Sequence, residues 1–445
     1  MARKKTDLEQ AVEELSAKDL AYSKLWRYYD GEPPLIYSTE KLREIFESIQ
    51  VRFSENWASV IVDALIDRLS LEKPSIMNND ALSKQLSEWW EESGAWLEEV
   101  SVYEDLIITG EAFLIVWPDE DDEELVSIYH NDSRQVYMRY DADSPRKKKY
   151  AAKWWKGEDE KAYLNLYYPE RIEYYSSESE ESSVASKYTL DRTEDNPYGK
   201  IPVFHFRPTH RTSRSQIKPV TEQLDLINKL MNDLAITSEF MAAPQRYVIT
   251  QADLSQLRNS PSEIWRLPPS SPGDQPTSVG EFSPANLTSY LSVMAQLAGN
   301  VASISRTPRH YFFGGEAPSG EALRVLEAPL IAKARRMTDL GLVPVWKEIV
   351  QFLLELHDQD VKKADIEVVY QPFETDLPVL EAGIRSQSVQ AGIPLQTVLR
   401  SFEGWTDEDL EEMAKDRQEE QVAQATYAEA MMQAAGTKFD QGTPE

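Results

Sequence analysis

Two aspartates, Asp63 and Asp67, stand four residues apart in an otherwise apolar segment. If the segment is helical, this spacing puts both carboxylates on one face, where they could hold a divalent metal that cleaves a phosphodiester. The same side chains could equally be solvated or pair with basic residues. We expect the structural role, and a metal-dependent DNA-processing enzyme stays as an alternative whose activity would be lost on replacing both carboxylates.

The other motifs with chemical potential lack residues that the chemistry needs. Gly315 and Gly320 have the spacing of a phosphate-binding loop, but Glu321 and Ala322 stand where Lys and Ser or Thr are required. The chain has five histidines without metal-ligand spacing, and it has no cysteine. The sequence therefore predicts no nucleotide site, no metal site, no cofactor and no enzymatic activity.

The segment 306–319 combines cations, aromatic residues and paired glycines in one predicted loop. A flexible, partly basic tip of this kind suits contact with nucleic acid. On the residues alone we favour the alternative, in which Tyr311, Phe312 and Phe313 simply anchor the loop to the core; contact with nucleic acid depends on the position of the loop in the fold. The candidate contact residues are Arg306, Arg309, His310, Phe313, Gly314, Gly315 and Glu316.

Basic residues gather in two further stretches. The stretch 207–218 contains no acid, and the other lies in the first part of the helix predicted from Glu321. These cations could face nucleic acid or bridge to acids of an adjacent subunit. We prefer subunit contacts for most of them, because a net-acidic oligomer needs cations where its subunits meet. The candidates are Arg211, Arg214, Lys218, Arg324, Lys333, Arg335 and Arg336.

Two amphipathic helices precede the loop and a longer one follows it. Apolar residues at spacings of three and four predict helices over about 215–241 and 287–304. The third helix, over about 321–356, contains Pro329 and Pro344, and each should kink or interrupt it. Between the first two lies 243–284, which holds seven of the 25 prolines and three short strand-like runs. We expect this segment to form a small protruding module.

The rest of the chain predicts helices and antiparallel strands. Helices are expected over about 8–29, 51–69 and 82–92, and again over 380–391, 395–402 and 407–433. Between Glu111 and Phe206, short alternating runs rich in tyrosine and tryptophan indicate an antiparallel meander. A short strand is expected at 366–370, and the last dozen residues are expected to be disordered. The predicted fold class is α+β.

This order of elements resembles the SPP1-type portal family of tailed bacteriophages. In that family a stem helix leads to a clip, a second stem helix returns, a channel loop follows, and a long helix enters the wing. Local sequence is also similar, so the resemblance covers nearly the whole chain. The similar stretches are Trp26–Leu35, Asn56–Trp57 with Ile61–Leu69, Thr109–Trp117, Pro308 with Ala317–Arg324, and Ala391–Leu395.

The resemblance implies a division of the chain into a wing, a two-helix stem, a small α/β clip, a long kinked wing helix and a helical crown. The expected parts are N-terminal helices and β-rich wing 1–207, first stem helix 208–242, clip 243–285, second stem helix 286–305, channel loop 306–320, long wing helix and strand 321–378, crown 379–433, and disordered tail 434–445.

The resemblance also implies a function. A dodecameric ring at one capsid vertex would admit double-stranded DNA during packaging and release it during ejection, without sequence specificity. The protein would be made in the host cytoplasm and built into the virion, beside the major capsid and scaffolding proteins. The terminase large subunit and a head–tail connector would dock on it. The clip residues expected to meet such partners are Trp265, Pro268, Pro269, Pro272 and Asp274.

The composition is compatible with this function without establishing it. The net charge of −29 argues against a conventional DNA-binding protein, whereas an acidic channel would let a duplex slide. On charge alone, we favour the interpretation that the acidity serves solubility. The most apolar stretch, Val100–Trp117, is broken by acids, so we expect neither secretion nor membrane insertion. A monomeric helical scaffold or adaptor protein is the remaining alternative.

Overall fold

The chain divides into two compact units. The computed structural model describes residues 5–34, 54–118, 126–178, 183–209, 212–242, 246–249, 277–281, 286–313, 319–374, 378–403, 410 and 413–418. The larger unit comprises residues 1–317 and 325–374, and the smaller one comprises 318–324 and 375–445. The larger unit contains helices and antiparallel strands in largely separate runs, so the predicted α+β class is confirmed.

Four α-helices are described before strand Ala112–Pro118, and all but the first of them are short. The first begins with a capping box, in which Thr6 accepts from the Glu9 N–H and the Glu9 carboxylate accepts from the Thr6 N–H. The four helices are α1 (Asp7–Tyr29), α2 (Trp57–Ile66), α3 (Asp80–Glu92) and α4 (Ala95–Thr109).

Helix α4 was not predicted, because its burial is not one-sided. Every residue from Asp105 to Thr109 is buried, so the sequence lacks the polar stripe that marks an amphipathic helix. Gly94 and Gly110, both with positive φ, bound the helix at its two ends. Helix α4 is therefore an inner helix of the larger unit, and it packs against α1, α2 and the neighbouring strands.

The strands form two antiparallel sheets where the sequence indicated one meander. The three-stranded sheet has the order β3-β2-β9, and the five-stranded sheet is a true meander in the order β4-β5-β6-β7-β8. The strands are β2 (Ala112–Pro118), β3 (Val126–Asn131), β4 (Val136–Tyr140), β5 (Lys148–Lys156), β6 (Ala162–Tyr167), β7 (Arg171–Ser177), β8 (Thr189–Asp195) and β9 (Val203–Phe206), preceded by β1 (Ser75–Ile76).

Strands β8 and β9 were not predicted because neither shows the alternation of a half-buried strand. All residues of β8 are exposed and all residues of β9 are buried. Helix α1 links the two sheets: its first half packs Ala11, Val12 and Leu15 on the five-stranded sheet, and Leu25 and Tyr28 enter the main core.

Two long helices and a pair of short antiparallel strands follow the sheets. After a 3₁₀ turn at Lys218–Val220 come α5 (Thr221–Ala242), β10 (Arg246–Ile249), β11 (Ser278–Glu281) and α6 (Leu287–Ser305). Strands β10 and β11 pair antiparallel, and α5 packs against α6. The strand-like run predicted near 264–267 and the clip residues Trp265, Pro268, Pro269, Pro272 and Asp274 lie outside the described residues.

The long helix predicted after the loop is divided by a π-helical turn. It comprises α7 (Gly320–Met337), the π turn at Thr338–Leu342 and α8 (Val343–Leu356). Helix α7 continues through Pro329, whose exposed position leaves the freed carbonyl of the preceding turn near solvent, so the predicted interruption there does not occur. Pro344 lies in the first turn of α8, where a missing N–H is tolerated.

Close backbone packing accounts for the glycine in this π turn. A Cβ atom on Gly341 would lie 2.2 Å from the Arg207 carbonyl oxygen and 3.1 Å from the Pro208 carbonyl carbon. Any larger residue would force the turn away from the segment that leads toward α5. After the turn, α8 buries Trp346, Ile349 and Leu353 in the main core.

The larger unit ends with a short strand, β12 (Ile366–Glu367), which pairs antiparallel with β1. The smaller unit contains α9 (Pro378–Gln390) and α10 (Leu395–Glu403), which pack against each other. The helix predicted over 407–433 lies mostly outside the described residues. None of the described helices is long and apolar enough to cross a membrane.

Candidate channel-loop site

The candidate loop leaves α6 through a left-handed residue. Arg306 has φ 62° and stops the helix, and Arg309–Tyr311 then form one 3₁₀ turn. Residues 314–318 lie outside the described ranges, and with them Gly314, Gly315 and Glu316 of the predicted tip. The described part of the loop is therefore its root, residues 306–313.

Aromatic packing holds this root to helix α2. The Trp57 ring meets Phe312 edge to face at 5.5 Å between centroids, and it meets Phe313 at 5.7 Å. Trp57 and Phe312 are buried in the main core. Edge-to-face pairs add to the free energy gained from burial alone. The aromatic residues thus anchor the root, as the alternative interpretation of the sequence proposed, and this anchoring is compatible with a tip that contacts nucleic acid.

A buried ion pair adds a second attachment. Arg68, just after α2, lies 3.0 Å from Glu327 of α7, and both side chains are nearly buried. The Tyr311 hydroxyl donates to Glu327 at 3.0 Å and accepts from Arg68 at 3.1 Å. Arg68 also donates to the Phe373 carbonyl oxygen at 3.2 Å. These three side chains, which we call the root clamp, join the loop to two helices.

The remaining predicted loop residues lie at the surface of the root. Arg309 is exposed, and its guanidinium lies 5.7 Å from the centroid of the Phe313 ring. The His310 ring packs edge to face on Tyr311 at 4.8 Å. Its Nδ1 atom is buried and has no hydrogen-bond partner among the described residues.

Three of the predicted cations come together beside the root. Lys333 of α7 donates to the Ser305 carbonyl oxygen at the end of α6, at 2.8 Å. The positive charges of Arg306 and Arg214 both act on this ammonium group. We call Arg214, Arg306 and Lys333 the root cations. Sequence proximity did not predict this group, because its members come from three separate segments.

The other predicted cations are dispersed. Arg335 pairs with Glu374 at 2.8 Å on the surface, and Arg336 is exposed on the same turn of α7. Lys218 begins the 3₁₀ turn before α5, where its N–H donates to the Ser215 hydroxyl. Arg324 lies in the part of α7 that belongs to the smaller unit. His210 and Arg211 lie outside the described residues.

A buried carboxylate that sequence reasoning had not selected fixes the segment leading into α5. Glu111 pairs with Lys18 at 2.5 Å and accepts from the hydroxyls of Tyr22 at 2.7 Å and Ser213 at 3.1 Å. His205 Nε2 lies 2.9 Å from the same carboxylate. Four donors from α1, β9 and the segment before α5 therefore converge on one acid, directly beside Arg214.

The hydrogen bonds of His205 define its protonation state. Because the Glu111 carboxylate only accepts, His205 Nε2 carries the proton, and Nδ1 at 3.1 Å accepts from the Tyr140 hydroxyl. Burial lowers the pKa of His205 to about 4, so the ring is neutral at pH 7. Burial alone would raise the pKa of Glu111, but Lys18 and His205 hold it well below its usual range.

This network should make stability depend on pH. Because the pKa of His205 falls from 6.5 to about 4 on folding, its contribution is complete above pH 6.5 and is lost as the pH falls toward 4. The depressed pKa of Glu111 adds a loss below its ordinary value of 4.5. Between pH 6.5 and 4 we expect His205 to contribute a fall of about 3 kcal/mol in the free energy of unfolding, measured by urea denaturation of the wild type and of a variant without this histidine at a series of pH values.

The variant His205→Gln should flatten this dependence between pH 6.5 and 4.5, since glutamine can still donate to Glu111 and does not titrate. His357→Gln is the matched control, because His357 is only half-buried and stacks on Trp89 at 4.0 Å. A His205→Gln protein with an unchanged pH profile would contradict the assignment.

The aspartates considered for metal catalysis have other contacts. Asp63 accepts from the Tyr29 hydroxyl at 3.1 Å, and burial raises its pKa, with the nearby Asp67 contributing. Among the residues that the structure describes, no three histidine or acidic side chains are grouped as metal ligands.

The family model for phage portal proteins of the SPP1 Gp6-like type matches residues 18–423. The chain therefore belongs to the phage portal protein family, a family of structural proteins, as its resemblance predicted. No curated protein matches the sequence significantly.

Two solved structures have a similar chain course. One is a chain from the virion of a native gene transfer agent particle, with 13% identity, TM-score 0.47, and coverage of 88% of this chain and 99% of that chain. The other is from the neck of an empty gene transfer agent particle, with 14% identity, TM-score 0.43, and coverage of 81% and 91%.

Proposed function

We propose that the chain assembles into a ring at one vertex of a phage capsid and forms the channel through which DNA enters and leaves. The observation that carries this proposal is the family match over residues 18–423. The matched range includes the order from α5 through the strand pair of β10 and β11 to α6, the loop and α7. The assignments of α5 and α6 to the stem, of β10 and β11 to the clip, and of residues 306–320 to the channel loop belong to this proposal.

Apolar side chains left at the surface of the stem support assembly with further copies. Helix α6 buries Met294, Ala298 and Val301 on one face, while Leu291 and Val293 are about half exposed in the single chain. Exposed aliphatic residues on a long helix that already has a buried face are typical of a second contact surface. A ring would cover this surface on every subunit, and the portal family suggests twelve of them.

The proposed partners are a terminase, double-stranded DNA, a head–tail connector and the capsid proteins. No phosphate-binding loop is present in the sequence, so a separate terminase would supply the energy for packaging. With a net charge of −29, the ring would pass double-stranded DNA without gripping it along its length. The clip would meet the terminase and later the head–tail connector, and the wing would meet the capsid and scaffolding proteins of the virion.

The mass of the purified protein tests the proposal directly. Native mass spectrometry with negative-stain images of the same sample should show rings of about a dozen subunits around a central hole. Where the isolated chain is monomeric, co-expression with the capsid and scaffolding proteins supplies the nucleating surface. A chain that forms no rings under either condition would overturn the proposal and favour a monomeric adaptor.

Shortening the loop should separate assembly from DNA handling. Deletion of Gly314–Ala317 removes the tip and retains the root held by Trp57, so rings should form as in the wild type. Packaging or retention of DNA should be impaired, because the tip no longer reaches the duplex. The readouts are ring yield by electron microscopy and nuclease-protected DNA per particle. Normal DNA content in particles carrying the deletion would remove the assignment of this segment as the channel loop.

A further inference from the structure

The root cations form a concentration of positive charge that no acid of the described residues neutralises through an ion pair. Lys333, Arg306 and Arg214 form no ion pair with any acid among the described residues, whereas Arg68 and Arg335 each have a carboxylate within 3.0 Å. Burial, Arg306 and Arg214 together lower the pKa of Lys333 to about 8. Three like charges at one place oppose folding unless an anion joins them.

The end of helix α6 accounts for only part of this arrangement. The Lys333 ammonium bonds the Ser305 carbonyl oxygen, and a cation at a helix C-terminus is favourable. One lysine satisfies that role. Arg306 directly follows Ser305 in the chain, and the positive charge of Arg214 also acts on Lys333. A second and a third cation therefore lie near a helix end that needs one.

The surroundings favour a protein partner. Arg214 and Arg306 are exposed and Lys333 is half-buried, and Ile304, two residues before Arg306, is 47% exposed. Arginine together with exposed aliphatic groups is typical of protein interfaces. DNA phosphate is a poorer partner. Each phosphate contact steepens the slope of log binding constant against log salt concentration by about 0.9. Cation clusters repeated around a ring would therefore hold a duplex that has to slide.

We infer that the root cations are an anion site completed by a carboxylate of a second copy of this chain. With 76 acidic residues against 47 lysines and arginines, every copy has acids to contribute. The inference rests on the proposed ring and specifies residues at its subunit contact. The described part of one copy supplies no carboxylate to the site, so the neighbour would both neutralise it and hold the loop root in place.

Cross-linking identifies the source of the carboxylate. Particles are assembled from equal amounts of unlabelled and heavy-nitrogen-labelled subunits of the full chain and treated with a water-soluble carbodiimide, which joins an amine and a carboxylate in ion-pair contact. Arg306→Lys retains the charge and offers an exposed amine. We expect mixed-label cross-links from residue 306 or 333 to an acidic peptide. Lys149 and Asp7, 2.6 Å apart within one chain, are the control and should give single-label products only.

A second measurement separates carboxylate from phosphate. In Arg214→Gln/Arg306→Gln, the subunit concentration for half-assembly should rise about tenfold, and affinity of assembled rings for a short DNA duplex should not change. Arg192→Gln, at an exposed arginine of β8, is the matched control. Rings without mixed-label links, or loss of duplex binding with normal assembly, would overturn the inference and leave the proposed function intact. A wild-type chain that never assembles would overturn both.

Discussion

Replacing Glu111 by alanine should lower the free energy of unfolding by about 3–5 kcal/mol, the largest loss we expect from a single substitution in this chain. The change leaves the Lys18 ammonium without its partner although only 13% of that side chain is exposed. It also removes the acceptor for Tyr22, His205 and Ser213. Urea denaturation followed by tryptophan fluorescence gives the difference directly.

The matched control for this prediction is Glu13→Ala. Glu13 also pairs with a lysine, Lys5, but both side chains are more than half exposed. Exposed pairs contribute about 0–1 kcal/mol, so this variant should unfold almost as the wild type does. Equal losses for the two variants would contradict a special role for the Glu111 network.

Replacing Glu327 by alanine should destabilise the larger unit by about 3 kcal/mol and release the loop root. Arg68, with 13% of its side chain exposed, would lose this ion pair, and Tyr311 would lose its acceptor. Hydrogen exchange at residues 309–313 should therefore accelerate more than exchange in β5 or β6. Combined urea denaturation and hydrogen-exchange mass spectrometry measure both effects.

The double variant Arg68→Met/Glu327→Leu tests the physical reason. Replacing both charges by apolar groups of similar size removes the nearly buried guanidinium together with the carboxylate, so it should recover most of the lost stability. Loop exchange should stay faster than in the wild type, because Tyr311 still lacks both partners. The exposed pair of Lys73 and Glu91 is the control, and Glu91→Ala should have little effect. A double variant as unstable as Glu327→Ala would show that packing, rather than the charge pair, dominates.

The helices around the loop were predictable because each exposes one side and buries the other. Helix α6 was expected over 287–304 and spans Leu287–Ser305. Helix α4 was missed since its buried residues surround it on more than one side, and exposed β8 was missed for the opposite reason. In each case tertiary burial removed the periodicity on which the prediction depends.

The chemical groups were less predictable than the elements, since they depend on contacts between distant residues. Glu111 meets partners that are about 90 to 100 positions away in sequence, at Lys18, Tyr22, His205 and Ser213. One signal was available: an acid interrupting the apolar stretch Val100–Trp117 is either a turn residue or a buried, fully bonded charge. No pattern in the sequence distinguished Lys333 from Arg335, although one lies near two arginines and the other pairs on the surface.

The π turn at Thr338–Leu342 makes the number of residues in this segment as important as their identity. An α-helix turns about 100° per residue, and a π turn accommodates one residue more than an α turn would. Deleting one residue here would favour a continuous α-helix and rotate α7 by that angle about its axis. Lys333 would then move away from Ser305, and Glu327 would move away from Arg68 at the same time. We therefore expect natural relatives to vary the side chains of this turn more freely than its length, with a single-codon deletion less tolerated than most substitutions.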